Sequence, residues 1–278
     1  MKNNNITNAF TIDVEDYFQV SAFAPYINRN DWNLHECRIE KNIETILHML
    51  NKNGTKATFF TLGWIAERYP QMVKKIVLEG HELASHGYGH ERAFDLSKQE
   101  FFDDIQSAKK LLEDISGSEV KGYRAPSFSI NKNNLWAFDC LLRAGYKYSS
   151  SVYPIKHDHY GMPTAPRFPY FVREGLLEIP ITTLRIFGKN FPSSGGGYFR
   201  LMPYLFSKFM INKVLSDDKQ PAIFYFHPWE IDIEQPRIPG IDSKTKFRHY
   251  INIKRMEKKI NSLLTDFLWN RVDKVFSI

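Results

Sequence analysis

The feature that most limits what this chain can fold into is a repeated switch of hydrophobic period. Short runs rich in β-formers, NAFTIDVE (8–15), KATFFTLG (56–63), HELASHG (81–87), GYRAPSFS (122–129) and YKYSSSVY (146–153), alternate with longer stretches whose apolar residues recur every three or four positions. The stretch 38–52 places Ile39, Ile43, Ile46, Leu47 and Leu50 on one stripe and stops at Asn53-Gly54. Helices are predicted there and over 65–79, 97–115, 131–144, 203–215 and 249–268. Ser97 and Glu100 form a capping-box pattern at the start of 97–115. Further strands are expected at LEIPITTLRI (177–186), AIFYFHPWE (222–230) and KVFSI (274–278). Strands and helices taking turns require crossovers between parallel neighbours, so the expected class is α/β with a mainly parallel sheet.

Hydrophobic residues make up 43% of the 278, which excludes a disordered chain. Residues 153–175 carry Pro154, Pro163, Pro166 and Pro169 in too short a span for a domain, and read as an ordered lobe walling a cleft. SSGGGYF (193–199) reads as a flexible substrate loop. One domain is expected over 1–278, with its motif core at about 9–231 and a helical extension at about 249–278. The net charge of +6 suits an anionic partner, but the lysines are scattered with no aromatic ladder, so nucleic acid is not expected. No apolar run reaches the roughly 20 residues that span a bilayer, and the N-terminus shows no secretory pattern. Cys37 and Cys140 fall in segments that read as helical, without metal-type spacing, and are expected as reduced thiols in a cytoplasmic protein.

Residues able to do chemistry gather where the strands end. Side chains alternate along a strand, so Asp13 and Glu15 share a face while Val14 points the other way. The third strand ends in His86-Gly-Tyr-Gly-His90, whose glycines let two imidazoles converge as metal ligands. The next ends in Arg124-Ala-Pro, and the last strong one in His227-Pro-Trp-Glu230. Each alone has a plain reading: a solvated acidic turn, two ordinary histidines, a surface salt bridge, a hydrogen-bonded histidine. Four such groups at successive strand ends of one α/β sheet point instead to a metal site with an acid and a base.

In order and spacing these motifs resemble the NodB-like polysaccharide deacetylases, carbohydrate esterase family 4. The closest resemblance is to the branch with D-V-E-D-Y-F as its first motif, often associated with exopolysaccharide or surface-glycan synthesis; APRFPY and GGGYFRL extend it through the middle of the chain. The resemblance implies a distorted (β/α) barrel and hydrolysis of an N-acetyl group on an amino sugar, with release of acetate. It implies one divalent ion, Zn2+ or another first-row dication, bound by His86, His90 and a carboxylate. The family's second aspartate is replaced here by Val14, so that carboxylate is Glu15, or Asp16 if a bulge rotates the strand end. By the same resemblance Asp13 is the base, Arg124 orients it and His227 is the general acid, with a backbone N–H near Tyr17 facing the oxyanion. Tyr17, Tyr198 and Trp229 are the expected substrate contacts. The implied partner is an N-acetylated glycan or glycan precursor, with peripheral contact to a lipid-linked substrate; oligomeric state is open. Relatives of this branch read Y-D-S-S-V-Y-P where this chain has Ser149, removing a carboxylate whose loss lowers activity unless another acid such as Asp158 or Glu230 substitutes for it. An amidohydrolase acting on a non-sugar amide or imide, and a catalytically impaired glycan-binding homologue, remain alternatives.

Overall fold

The computed structural model describes residues 6–157 and 160–278; Asp158 lies outside them. The chain runs β1 (Thr7–Val14), α1 (Ile39–Lys52), β2 (Thr58–Thr61), α2 (Gly63–Arg68), α3 (Pro70–Leu78), β3 (Glu82–Ser85), α4 (Lys98–Ser116), β4 (Gly122–Tyr123), α5 (Trp136–Arg143), β5 (Tyr148–Ser149), β6 (Tyr170–Arg173) and β7 (Leu176–Glu178). It continues with β8 (Thr183–Ile186), β9 (Lys189–Pro192), α6 (Gly196–Leu201), α7 (Tyr204–Lys213), β10 (Ile223–Phe226), α8 (Ser243–Tyr250), α9 (Ile253–Asp266), β11 (Leu268–Asn270) and α10 (Val272–Val275). The main sheet has the order β10-β1-β2-β3-β4-β5-β7-β6, with β11 also pairing β1, and every pairing is parallel except β6 with β7. It curls into a half-barrel, the distorted (β/α) form expected, and no hydrogen-bonded closure joins its outer strands among the described residues.

The central strands are buried on both faces, as helical crossovers demand. Phe10 stacks on Phe224 at 5.3 Å and meets Trp269 edge-on at 5.4 Å, tying three neighbouring strands together. Helix α1 buries the predicted stripe. Ser97 caps α4, accepting from the Glu100 N–H while Glu100 reaches back, as its spacing predicts. Parallel strands end together, so the C-terminal ends of β1 to β5 and β10 form one rim.

Several boundaries differ from expectation. The helix expected over 65–79 is two, α2 and α3, because Tyr69 precedes Pro70 and takes non-helical angles. The strand expected over 177–186 is cut at Pro180 into β7 and β8, which belong to different sheets. The helix expected over 249–268 breaks at Asn252, which sits at φ 55°, a left-handed angle that asparagine tolerates. At the C-terminus the strand is β11 and the expected strand 274–278 is replaced by α10, since Trp269 packs on Phe10 and the Val272 N–H bonds Thr58 Oγ1. Residues 193–199 are not a loose loop: Gly195 bridges Tyr225 and α6 follows at once. Cys37 precedes α1 rather than lying within a helix; both cysteines are free thiols. No helix among the described residues is long and apolar enough to cross a membrane.

Candidate active site

β1 delivers Asp13 to the rim. There the chain turns: the Glu15 N–H bonds the Asp13 carbonyl at 3.0 Å, closing a three-residue turn. Asp13 and Glu15 therefore converge through this turn rather than through simple alternation. Asp16 is directed elsewhere. Its carboxylate accepts from the N–H groups of Tyr17 (2.8 Å) and Arg38 (2.5 Å) and from Cys37 Sγ (3.1 Å), and burial pushes its pKa up to about 6. Among the described residues the group that could hold a metal ion is Glu15, His86 and His90, whose ligand atoms lie within 4.8 Å of one another; Asp16 is not part of it.

The histidine loop takes its shape from two left-handed residues, Gly87 at φ 76° and His90 at φ 57°. A Cβ on Gly87 would lie 2.7 Å from Asp104 Oδ2, so only glycine fits; Asp104 in turn accepts the Tyr88 N–H through both oxygens at 3.1 Å. The two imidazole centroids end 5.3 Å apart. His86 Nδ1 donates to the Arg124 carbonyl at 2.8 Å, leaving Nε2 with its lone pair for a cation. Burial pushes the His86 pKa down to about 4, so the ring is neutral, the state that binds metal. Burial would raise the Glu15 carboxyl, yet His90 and His227 hold it well below the usual carboxylate range. Glu15 Oε2 is buried and lies 2.5 Å from His90 Nε2, its one close polar neighbour among the described residues. A buried carboxylate facing two imidazoles is costly unless a cation completes the set. Two nitrogen donors and one oxygen suit a divalent ion such as zinc.

Arg124 is fully buried. Its Nη1 donates to Asp13 Oδ1 (2.5 Å) and Thr11 Oγ1 (2.8 Å), its Nε to the Ser150 carbonyl (3.1 Å) and its Nη2 to Ser150 Oγ (3.0 Å). Across the rim His227 Nε2 stands 3.9 Å from Asp13 Oδ2 and 3.6 Å from Glu15 Oε1. Its Nδ1 donates to Glu230 Oε1 at 2.7 Å, and the other oxygen of Glu230 faces Arg200 Nε at 2.8 Å. Burial works against the imidazolium, but Glu15 and Glu230 outweigh it and raise the His227 pKa to about 9.

The expected substrate contacts fare unevenly. Tyr17 is buried against Phe18 and His35, and its N–H is already bound to Asp16, so neither ring nor N–H faces the cleft. Trp229 is also buried. It lies parallel to His227 (5.3 Å) and His249 (4.1 Å) and donates to Glu15 Oε1 at 3.3 Å, backing the site rather than offering a sugar platform. Tyr198 is half-buried, 6.4 Å from His157.

The carboxylate absent at Ser149 has a counterpart that sequence reasoning missed. Glu178 on β7 lies in register with Ser149, fully buried, and its Oε1 accepts the N–H groups of Ser151 (2.9 Å) and Val152 (2.8 Å). It braces the segment whose Ser150 holds Arg124. The available signal was one acid inside the apolar strand LEIP. Burial raises the Glu178 pKa from 4.5 to about 7, against the hydrogen bonds from Ser149 and the two N–H groups. A carboxyl that keeps its proton longer when folded adds stability below pH 4.5 and loses it as pH rises through about 7. Glu178→Gln should lack that decline, gaining on the order of 2–3 kcal/mol relative to the native chain between pH 5 and 8. Urea unfolding of both proteins at the two pH values measures this, and equal pH dependence refutes it.

Comparison with known proteins matches residues 31–148 to the polysaccharide deacetylase family and residues 150–277 to a domain of unknown function, DUF3473. A peptidoglycan deacetylase of Helicobacter pylori is 32% identical over 138 residues, 49% of this chain and 42% of that protein. A peptidoglycan-N-acetylglucosamine deacetylase of Bacillus cereus is 37% identical over 93 residues, 33% of this chain and 34% of that one. The chain thus spans less than half the length of either relative. The crystal structure of a polysaccharide deacetylase from Mycobacterium smegmatis superposes with a TM-score of 0.60 at 17% identity, over 96% of this chain and 87% of that one, a likeness of fold. His86, His90 and Arg124 fall in the first matched segment and His227 in the second, while Asp13 and Glu15 precede both. The chain thus carries a NodB-like polysaccharide deacetylase segment of carbohydrate esterase family 4 over residues 31–148, followed by DUF3473 over 150–277.

Proposed function

We propose that the protein hydrolyses the N-acetyl group of an amino sugar in a glycan or glycan precursor, yielding acetate and a free amine. The observation that carries this is the buried Glu15 carboxylate converging with the His86 and His90 imidazoles, with Asp13 and His227 standing beside it. Glu15, His86 and His90 would hold a divalent ion, zinc by its donor set. Such an ion supplies Lewis acidity toward the amide carbonyl and acidifies water. Arg124 grips Asp13 Oδ1 and leaves Oδ2 turned toward the cleft, where it takes the proton of the attacking water. Glu230 holds His227 through Nδ1, so that Nε2 presents its proton to the departing nitrogen. The peptidoglycan deacetylases among its relatives support a glycan as substrate. Residues 1–278 act as one unit in this reading, since the sheet takes strands from both matched segments.

The test is acetate release from a panel of N-acetylated glycans, before and after chelation and after metal is restored. Release that falls at least about tenfold with chelator and returns with zinc or another dication is expected. Activity confined to non-sugar amides or imides would replace this reading with an amidohydrolase. Glycan binding without acetate release would replace it with an inactive binding homologue.

A further inference from the structure

Between Glu178 and Asp217 the chain contains no acidic residue. The same segment exposes Phe187, Phe191, Leu201, Leu205, Phe206 and Phe209. These residues lie on the β8–β9 hairpin, α6 and α7. The hairpin packs on α7 through Leu184 against Met210 and Val214, with Ile186 and Met202 on the same cluster, so the hairpin and α7 sit side by side. Phe206 and Phe209 stack on each other at 6.4 Å. The hairpin tip is the strongest anomaly. Ile186 pairs with Lys189, leaving Phe187-Gly188 as a two-residue turn with both φ values positive, 47° and 76°. That turn favours asparagine followed by glycine, and a bulky aromatic there is disfavoured. Phe187 is moreover wholly exposed. A residue that strains the backbone and gains no burial within its own chain has its energetic return elsewhere.

We infer that this face docks on the surface of an anionic lipid bilayer, with Phe187 and the apolar edge of α7 entering the headgroup boundary. Charge decides among occupants. Arg185 and Lys189 flank the tip with no acidic partner among the described residues, whereas Lys208 pairs with Asp266 and Lys213 with Asp217. A second copy meeting this face about a two-fold axis through the hairpin tip would set Arg185 and Lys189 against their own counterparts. Nucleic acid would leave Leu201 and Leu205 without a use, since aliphatic side chains do not stack on bases as aromatics do. Acyl chains accept leucine and phenylalanine alike, and anionic headgroups answer the cations. Leu201 adjoins Arg200, whose guanidinium holds Glu230, so the face borders the active-site scaffold without including any residue assigned to the chemistry.

The whole chain should sediment with vesicles of phosphatidylcholine containing phosphatidylglycerol, more weakly with phosphatidylcholine alone, and less as salt rises. Phe187→Asn separates docking from folding: it suits the turn, so its thermal midpoint should match or exceed the native value while its partition falls about tenfold. Phe206→Ser/Phe209→Ser should weaken partition similarly. The proposal is overturned if the native chain does not sediment with anionic vesicles, or if all variants sediment equally. A solution dimer that Phe187→Asn dissolves would overturn it too, assigning the face to a second copy. None of these readings depends on acetate release.

Discussion

Asp13→Asn will release acetate about 10²–10⁴ times more slowly than the native protein while binding the same amount of metal. The two halves of that result have separate causes. Asp13 Oδ2 faces His227 across the rim, in position to take a proton, and an amide cannot. The group that could hold the cation is Glu15, His86 and His90, so removing the Asp13 charge should take away no ligand. Asparagine keeps the shape and can still accept from Arg124 Nη1, so the fold should persist. Acetate assays at saturating substrate, paired with metal analysis of the purified variant, measure both quantities. Activity within about threefold of native would remove Asp13 as base, and a parallel loss of metal would make it a ligand instead.

Arg124→Ala should destabilise the protein by about 3–5 kcal/mol. Arg124 is wholly buried and spends its donors on Asp13, Thr11 and Ser150, while its guanidinium lies 4.0 Å from the Phe60 ring centroid. Truncation strands a buried carboxylate and two buried hydroxyls and opens a cavity inside the barrel. Denaturant unfolding measures the change, and a loss below about 1 kcal/mol would show that the pair is dispensable to the fold. Activity should fall as well, because Asp13 would no longer be held in one orientation, so folded variant must be quantified before rates are compared.

The order of elements was legible because each carries its own period and its own stops. Apolar spacing located α1, and Ser97 with Glu100 located the start of α4, since helix and cap energetics act within a few residues. Breaks set by one residue were harder. Pro70, Pro180 and Asn252 each interrupt an otherwise continuous apolar pattern, and hydrophobic period alone does not register them. Buried aromatics were harder still: Tyr17 and Trp229 look like sugar platforms in sequence, and only their neighbours show them packed away.

The chain's own letters determined the residue types at the strand ends, the α/β alternation and hence the rim where Asp13, His86, Arg124 and His227 meet. Tertiary structure alone decided which way Glu15 and Asp16 face, that Glu230 and Arg200 stand behind His227, and that Glu178 answers Ser149 from another strand. The physical reason is range. Period and capping are local, whereas the environment of a buried charge is made by residues far apart in the chain, which no spacing along one segment records.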